Sequence, residues 1–157
     1  MAEIRRSAGL LLFRRTGTGT EVLLGHMGGP FWARRNAGAW TVPKGEYGEG
    51  EAPWDAARRE FREELGLPAP PGPPLPLGEV VQSGGKHVTV WAVEGDLDPA
   101  LVVPGTFAME WPRGSGRTAR FPELDRVAWF GLAAAREVVV TAQARFLDRL
   151  ADRLAEA

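Results

Sequence analysis

The amino-acid sequence predicts an α/β protein, a mixed β-sheet covered by helices on both faces. Strand-like and helix-like patterns alternate along the chain. An early run, Ala8-Gly9-Leu10-Leu11-Leu12-Phe13, is apolar throughout, as a buried strand requires. A helix with one apolar and one acidic face, Ala52 to Leu65, lies between strand candidates. At 157 residues the chain suits one domain, 1–157, with a full core.

Each element has its own signal. Ser7 to Arg14 holds the apolar run, and Arg15 to Thr20, with Gly17 and Gly19, reads as a turn. Val22 to Leu24 opens a second strand, so the two form a hairpin. Gly28 to Ala39 is an irregular loop rich in glycine and aromatic residues. Trp40 to Val42 is a short strand, and Pro43-Lys44-Gly45 turns out of it. Pro53 and Gly66 bracket the helix with the usual start and stop residues. Its apolar stripe is Trp54, Ala57, Phe61 and Leu65. Six prolines make Pro68 to Pro76 an extended connector. Leu77 to Gln82 and His87 to Glu94 read as strands joined at Ser83-Gly84-Gly85. Asp96 to Gly105 and Gly114 to Arg120 read as loops, and Arg126 to Phe130 as a strand. Ala133 to Glu137 and Thr141 to Glu156 close the chain as helices. The last carries Phe146, Leu147, Leu150 and Leu154 on one face, for packing on the sheet or, second, for a homodimer seam.

Composition excludes several classes. A net charge of −1 gives no global pull toward duplex nucleic acid or membrane. With no cysteine there is no disulfide, thiol catalysis or thiolate metal site. No apolar run approaches the roughly 18 residues of a membrane span. Met1-Ala2-Glu3-Ile4-Arg5-Arg6 lacks a leader pattern, so a cytoplasmic setting is expected.

The chemistry concentrates on the helix. Glu60, Glu63 and Glu64 fall at i, i+3 and i+4 and share roughly 100° of its circumference. Like charges so placed repel, and a divalent cation turns that repulsion into coordination. Oxygen ligands favour Mg²⁺, Mn²⁺ or Ca²⁺ over zinc. Mg²⁺ is held by a few carboxylates, waters and substrate phosphates, so the cluster fits phosphoanhydride cleavage. A Glu/Arg-rich helix is otherwise an ordinary solvated face.

Gly45, Glu51, Arg59, Glu60, Glu63, Glu64 and Gly66, with apolar Phe61 and Leu67, resemble the signature of the Nudix hydrolases. Phe61 is aromatic where an aliphatic residue is commoner. The signature spans Gly45 to Leu67, and the family's fold, an α/β/α sandwich with a mixed sheet, would account for nearly the whole chain. The resemblance implies that Glu60, Glu63 and Glu64 ligate Mg²⁺ (or Mn²⁺), together with the carbonyl of Lys44. It also implies that Glu60 is a candidate for activating water. Arg59 would orient Glu60, or simply pair with Glu63. Glu51 is either an outer ligand or a charge at the helix N-terminus.

Trp40-Thr41-Val42-Pro43-Lys44-Gly45 resembles the Trp-x-x-Pro-Lys-Gly segment of Nudix enzymes acting on diadenosine polyphosphates and capped RNA, where Lys44 would meet phosphates. The spacing from Glu123 to Trp129 resembles the tail of the diadenosine tetraphosphate hydrolases and makes Glu123 a further metal ligand, with Glu110 competing. Outside these segments, Phe31, Trp32, Arg34 and Arg35 could stack a base and hold phosphates, or Trp32 could cap the core. Arg113, Arg117 and Arg120 form a basic loop suited to polyphosphate, with Arg117 the leading candidate. Lys86 and His87 follow a glycine pair at a hairpin and could likewise meet polyphosphate, a solvated turn being the commoner use, and His26 is read as structural. The expected function is metal-dependent pyrophosphohydrolysis of a nucleoside-diphosphate-linked small molecule. A dinucleoside polyphosphate leads, and a nucleoside triphosphate, including an oxidised one, stands close behind. A nucleotide sugar, a nucleotide-sensing module without turnover, and a calcium-binding structural protein are the alternatives.

Overall fold

The computed structural model describes residues 4–156. The leader-pattern expectation rests partly on Met1-Ala2-Glu3, which lie outside them. The main sheet is built on β1 (Arg6–Thr16), which pairs antiparallel with β2 (Gly19–Met27) and parallel with β6 (His87–Glu94). β3 (Trp40–Thr41) and β9 (Leu124–Gly131) extend β2, and β5 (Leu75–Val81) extends β6. β4 (Lys44–Glu46) returns to β1. A parallel pair among antiparallel ones makes the sheet mixed.

The residues of β1 alternate between two cores, which is why its run is apolar without interruption. Ala8, Leu10 and Leu12 meet α1 (Pro53–Leu65) through Ala56, Ala57, Phe61 and Leu65. Leu11 and Phe13 share the opposite core with Ala135 and Val138 of α2 (Leu132–Val138) and with Phe146, Leu147 and Leu150 of α3 (Ala144–Ala155). The result is an α/β/α sandwich. Because Phe146, Leu147 and Leu150 are buried within the chain, that stripe is not free to serve as a dimer seam.

The structure corrects the sequence reading in four places. Lys44 and Gly45 do not lie in a turn; they form β4, and the bend falls at Val42-Pro43. Pro76 lies inside β5, tolerated because β5 is an edge strand with a register shift between Pro76 and Glu79. The carbonyls of Leu77 and Glu79 accept from Arg149 at 2.9 and 3.0 Å, and that of Pro76 from Arg153 at 3.0 Å. Thr141–Gln143 is a 3-10 turn ahead of α3 rather than its first turn. Finally, the stretch read partly as loop between Gly105 and Glu123 is an arm, the hairpin of β7 (Thr106–Glu110) and β8 (Thr118–Pro122), separate from the main sheet. No helix among the described residues is long and apolar enough to cross a membrane.

Candidate active site

The crossing of Val42-Pro43 from β2's side of the sheet to β1 sets the site. Pro43 accepts from the Leu10 N–H at 3.1 Å, a contact so close that a side chain at Gly9 would strike Pro43 O and Lys44 Cβ. From the opposite face Gln143, fully buried, receives the Val42 N–H on Oε1 at 2.9 Å. Its amide nitrogen donates to Thr41 Oγ1 and Gln82 Oε1 at 3.0 and 2.8 Å. β4 is thereby clamped against the N-terminal half of β1.

α1 approaches β4 closely. A Cβ built on Gly45 would overlap the carboxylate of Glu60, so only glycine lets helix and strand meet here. Glu64 accepts the Lys44 N–H on Oε2 at 3.1 Å. The helix stops at Gly66, whose φ of 70° is left-handed and whose N–H reaches Arg62 O at 2.8 Å.

Arg59 links the acids of the loop to those of the helix. It donates from Nε and Nη2 to the two oxygens of Glu51 at 2.7 and 2.9 Å, a bidentate fork. Its Nη1 donates to Glu60 Oε1 at 2.8 Å and to Glu63 Oε2 at 3.1 Å. Glu51 directly precedes the N-cap residue Ala52, so its charge does lie at the helix N-terminus, and it is also the anchor of Arg59. The hydrogen bond from Arg59 holds the Glu51 carboxyl below its ordinary range.

Glu60, Glu63, Glu64 and Glu123 line one cleft of about 490 Å³, together with Lys44 and Lys86. Burial raises the pKa of Glu60, with Arg59 working against it. Burial, then the charge of Glu60, push Glu64 up to about 8. Lys44 is held below its ordinary value by burial and then by Lys86. Within the cleft the charges of Glu63 and Glu123 add to the rise at Glu60, and that of Glu123 to the rise at Glu64. Among the described residues no three His, Asp or Glu side chains already form a metal cage. Glu60 and Glu63 are turned to Arg59, and Glu64 to the Lys44 N–H. The donor set nonetheless fits a hard divalent cation: five carboxylates, Glu46, Glu60, Glu63, Glu64 and Glu123, share one cleft, and their neighbours' charges disfavour ionisation of Glu60 and Glu64.

Glu123 sits in the bend between β8 and β9, its backbone fixed by Glu123 N–H to Gly105 O at 2.7 Å and Gly28 N–H to Glu123 O at 3.0 Å. Glu110, its competitor, is elsewhere. It accepts the N–H groups of Gly114 and Gly116 at 2.8 and 3.2 Å and so holds the tip of the β7–β8 arm.

Trp32, Arg34, Arg35 and Arg117 do not line the cleft. Trp32 packs against the α2/α3 core, and the Arg35 guanidinium lies 4.3 Å from the centroid of Phe31. Arg34 is exposed on the same loop, and Arg117 is exposed at the end of the arm. His26 is structural as expected: fully buried, with Nδ1 on Asp125 at 2.8 Å and Nε2 on Arg35 O at 2.6 Å. Lys86 is the cleft residue that sequence reasoning set aside. It ends the β5–β6 hairpin, and its Nζ is 3.7 Å from Glu46. A lysine beside a glycine pair was its only signal.

The NUDIX domain family profile matches residues 3–150. The chain belongs to the Nudix family. It is a Nudix hydrolase, and the carboxylates on α1 are those of the Nudix signature. Solved structures agree on the fold. A C. elegans Ap4A hydrolase in a binary complex superposes with a TM-score of 0.69 at 22% identity, over 96% of this chain and 99% of that one. The Nudix hydrolase RenU of M. smegmatis gives 0.62 at 25% identity, over 99% and 89%. The NUDIX domain of Shewanella oneidensis NrtR, complexed with ADP ribose, gives 0.65 at 15% identity, over 98% and 90%. No curated protein matches the sequence.

Proposed function

We propose that this Nudix hydrolase is a divalent-metal-dependent pyrophosphohydrolase of nucleoside-diphosphate-linked small molecules. A dinucleoside polyphosphate is the leading substrate, followed by a nucleoside triphosphate, oxidised or not. One observation carries the reading: a single cleft gathers Glu60, Glu63, Glu64 and Glu123, whose charges disfavour ionisation of Glu60 and Glu64, together with Lys44 and Lys86, which repel each other. A metal–phosphate pair relieves both repulsions at once. The similar structures support the class, since one is an Ap4A hydrolase and another holds ADP ribose, a nucleoside diphosphate joined to a second group.

Glu60, Glu63 and Glu64, with Glu123 and the Lys44 carbonyl, would hold Mg²⁺ or Mn²⁺. When bound, the ion polarises the phosphoryl oxygens and lowers the pKa of water. The chain's own residues do the rest. Glu60, raised by burial and turned toward Gly45, is suited to accept the proton of the attacking water. Arg59 keeps that carboxylate in place while Glu51 keeps Arg59 in place. Lys44 and Lys86 neutralise phosphate oxygens and favour the charge that develops as the anhydride breaks.

The test is a hydrolysis screen with and without Mg²⁺ over dinucleoside polyphosphates, nucleoside triphosphates and nucleotide sugars, with products identified. Mg²⁺-dependent release of a nucleoside phosphate is expected. Tight nucleotide binding with no turnover of any compound would replace the enzyme by a sensor.

A further inference from the structure

The β7–β8 arm is tied to the cleft at its base. Gly105 and Thr106 line the cleft, Gly105 O holds the Glu123 N–H, and a Cβ on Gly105 would strike Glu63 O. In the arm's register Thr106 faces Pro122 and Ala108 faces Arg120. Residues alternate between faces along a strand, so Arg120 and Thr106 share one face as diagonal neighbours. Arg120 takes that diagonal: Nη2 and Nε both donate to Thr106 Oγ1, at 2.8 and 3.2 Å. The small side chain of Ala108 leaves the path open. The guanidinium is thereby turned toward the base of the arm and the cleft, away from the tip.

Its charge is not answered there. Thr106 Oγ1 is neutral, and among the described residues no carboxylate lies within ion-pair distance of Arg120. Arg14, Arg15 and Arg59, by contrast, each have a carboxylate at 2.7 to 2.8 Å. Glu110, the acidic residue of β7, is committed to the N–H groups of Gly114 and Gly116. An oriented guanidinium with its Nη1 group free is built for an anion, and its fork matches phosphate.

We propose that Arg120 is the ligand for a substrate phosphate lying beyond the scissile pair, and so selects substrates with long phosphate chains. This rests on the phosphoanhydride reading of the cleft. Lys44 and Lys86 take the phosphates inside the cleft, while Arg120 at the rim takes the next one along. A chain of only two phosphates ends before the rim; a dinucleoside tetraphosphate or a nucleoside tetraphosphate reaches it. Thr106 is a positioning residue that aims the fork.

The experiment is equilibrium binding, in Mg²⁺, of methylene-bridged analogues of adenosine tetraphosphate and of ADP, which resist hydrolysis. Wild type, Arg120→Ala, Arg120→Lys and Thr106→Val are compared, with melting curves to establish folding. Arg120→Ala is expected to weaken the tetraphosphate analogue about tenfold or more, the scale of a charged hydrogen-bond pair, and the ADP analogue by less than about twofold. Arg120→Lys should restore part of the loss, and Thr106→Val should show a smaller loss of the same selectivity. Equal weakening of both analogues, or none, overturns the proposal. Turnover is scored separately: a wild type that binds the long analogue selectively yet hydrolyses nothing removes the enzyme reading and leaves the Arg120 contact standing.

Discussion

The α-carbon of Gly45 lies against the carboxylate of Glu60, leaving no room for a β-carbon between them. β4 and α1 are thus in contact through the group proposed to handle the water proton. Gly45→Ala should displace Glu60 without touching the core beneath, since the added Cβ meets Glu60 atoms alone while Phe61 and Leu65 are packed with Ala8, Leu10 and Leu12. A shift of this kind costs about 10²-fold in turnover. Steady-state kinetics alongside a melting curve checks it: kcat falls while the fold persists. A Gly45→Ala protein with wild-type kcat would mean that the Glu60 position is not critical.

Glu64 gives a prediction in pH. Its folded pKa of about 8 lies above the ordinary 4.5, so between these values the folded chain keeps a proton that the unfolded chain has released. Metal-free stability therefore falls as pH rises through that window. A bound cation displaces the proton, so added Mg²⁺ should stabilise more at pH 8.5 than at pH 6. Melting temperatures in EDTA and in Mg²⁺ across this range measure both trends. Glu64→Gln should flatten the first and diminish the second; a Gln variant with both trends intact assigns the proton to another group.

Arg59 and Glu51 form one unit, since the fork that binds Glu51 is what aims Nη1 at Glu60. Arg59→Lys keeps the charge and loses the fork, and should lower kcat about 10–100-fold, as losses behind a first layer of ligands do. Glu51→Gln should act in the same direction, and the double variant should be no worse than the poorer single one. Strict additivity in that cycle would separate the two residues.

The two acids of the arm divide cleanly. Glu123→Gln should raise the Mg²⁺ concentration needed for half-maximal rate about 10-fold or more, because it removes one of five carboxylates from the cleft. Glu110→Gln should leave that concentration in place, since Glu110 holds only Gly114 and Gly116 N–H. A metal titration of both variants decides it.

What the sequence disclosed follows from what local patterns encode. β1 was legible because a strand covered on both faces is apolar at consecutive positions. α1 was legible because Glu60, Glu63 and Glu64 repeat with the helix and Gly66 ends it. The β7–β8 arm was hidden: its exposed Thr106, Ala108 and Arg120 alternate with half-buried Phe107, Met109 and Phe121 over only five residues per strand. Pro76 masked the start of β5 because proline is excluded from central strands and tolerated at edges. Lys86 and Lys44 share a cleft only through the fold, and the Glu51–Arg59 fork spans the start of the helix, where no periodicity applies. Trp32 was left between two uses because an aromatic residue beside arginines reads alike over a base and over a core, and it packs on the core.

Gln143 reaches through the sandwich from the opening of the last helix to the Val42 backbone, one residue before the Pro43 bend. The strand carrying Lys44 and Gly45 is therefore braced from the rear of the molecule. A chain cut short ahead of residue 143 would lose this strut as well as a helix, and its Lys44 and Gly45 would be left without a backstop although every acidic side chain of the signature was still present. For this protein, integrity of the tail is a condition on the front face.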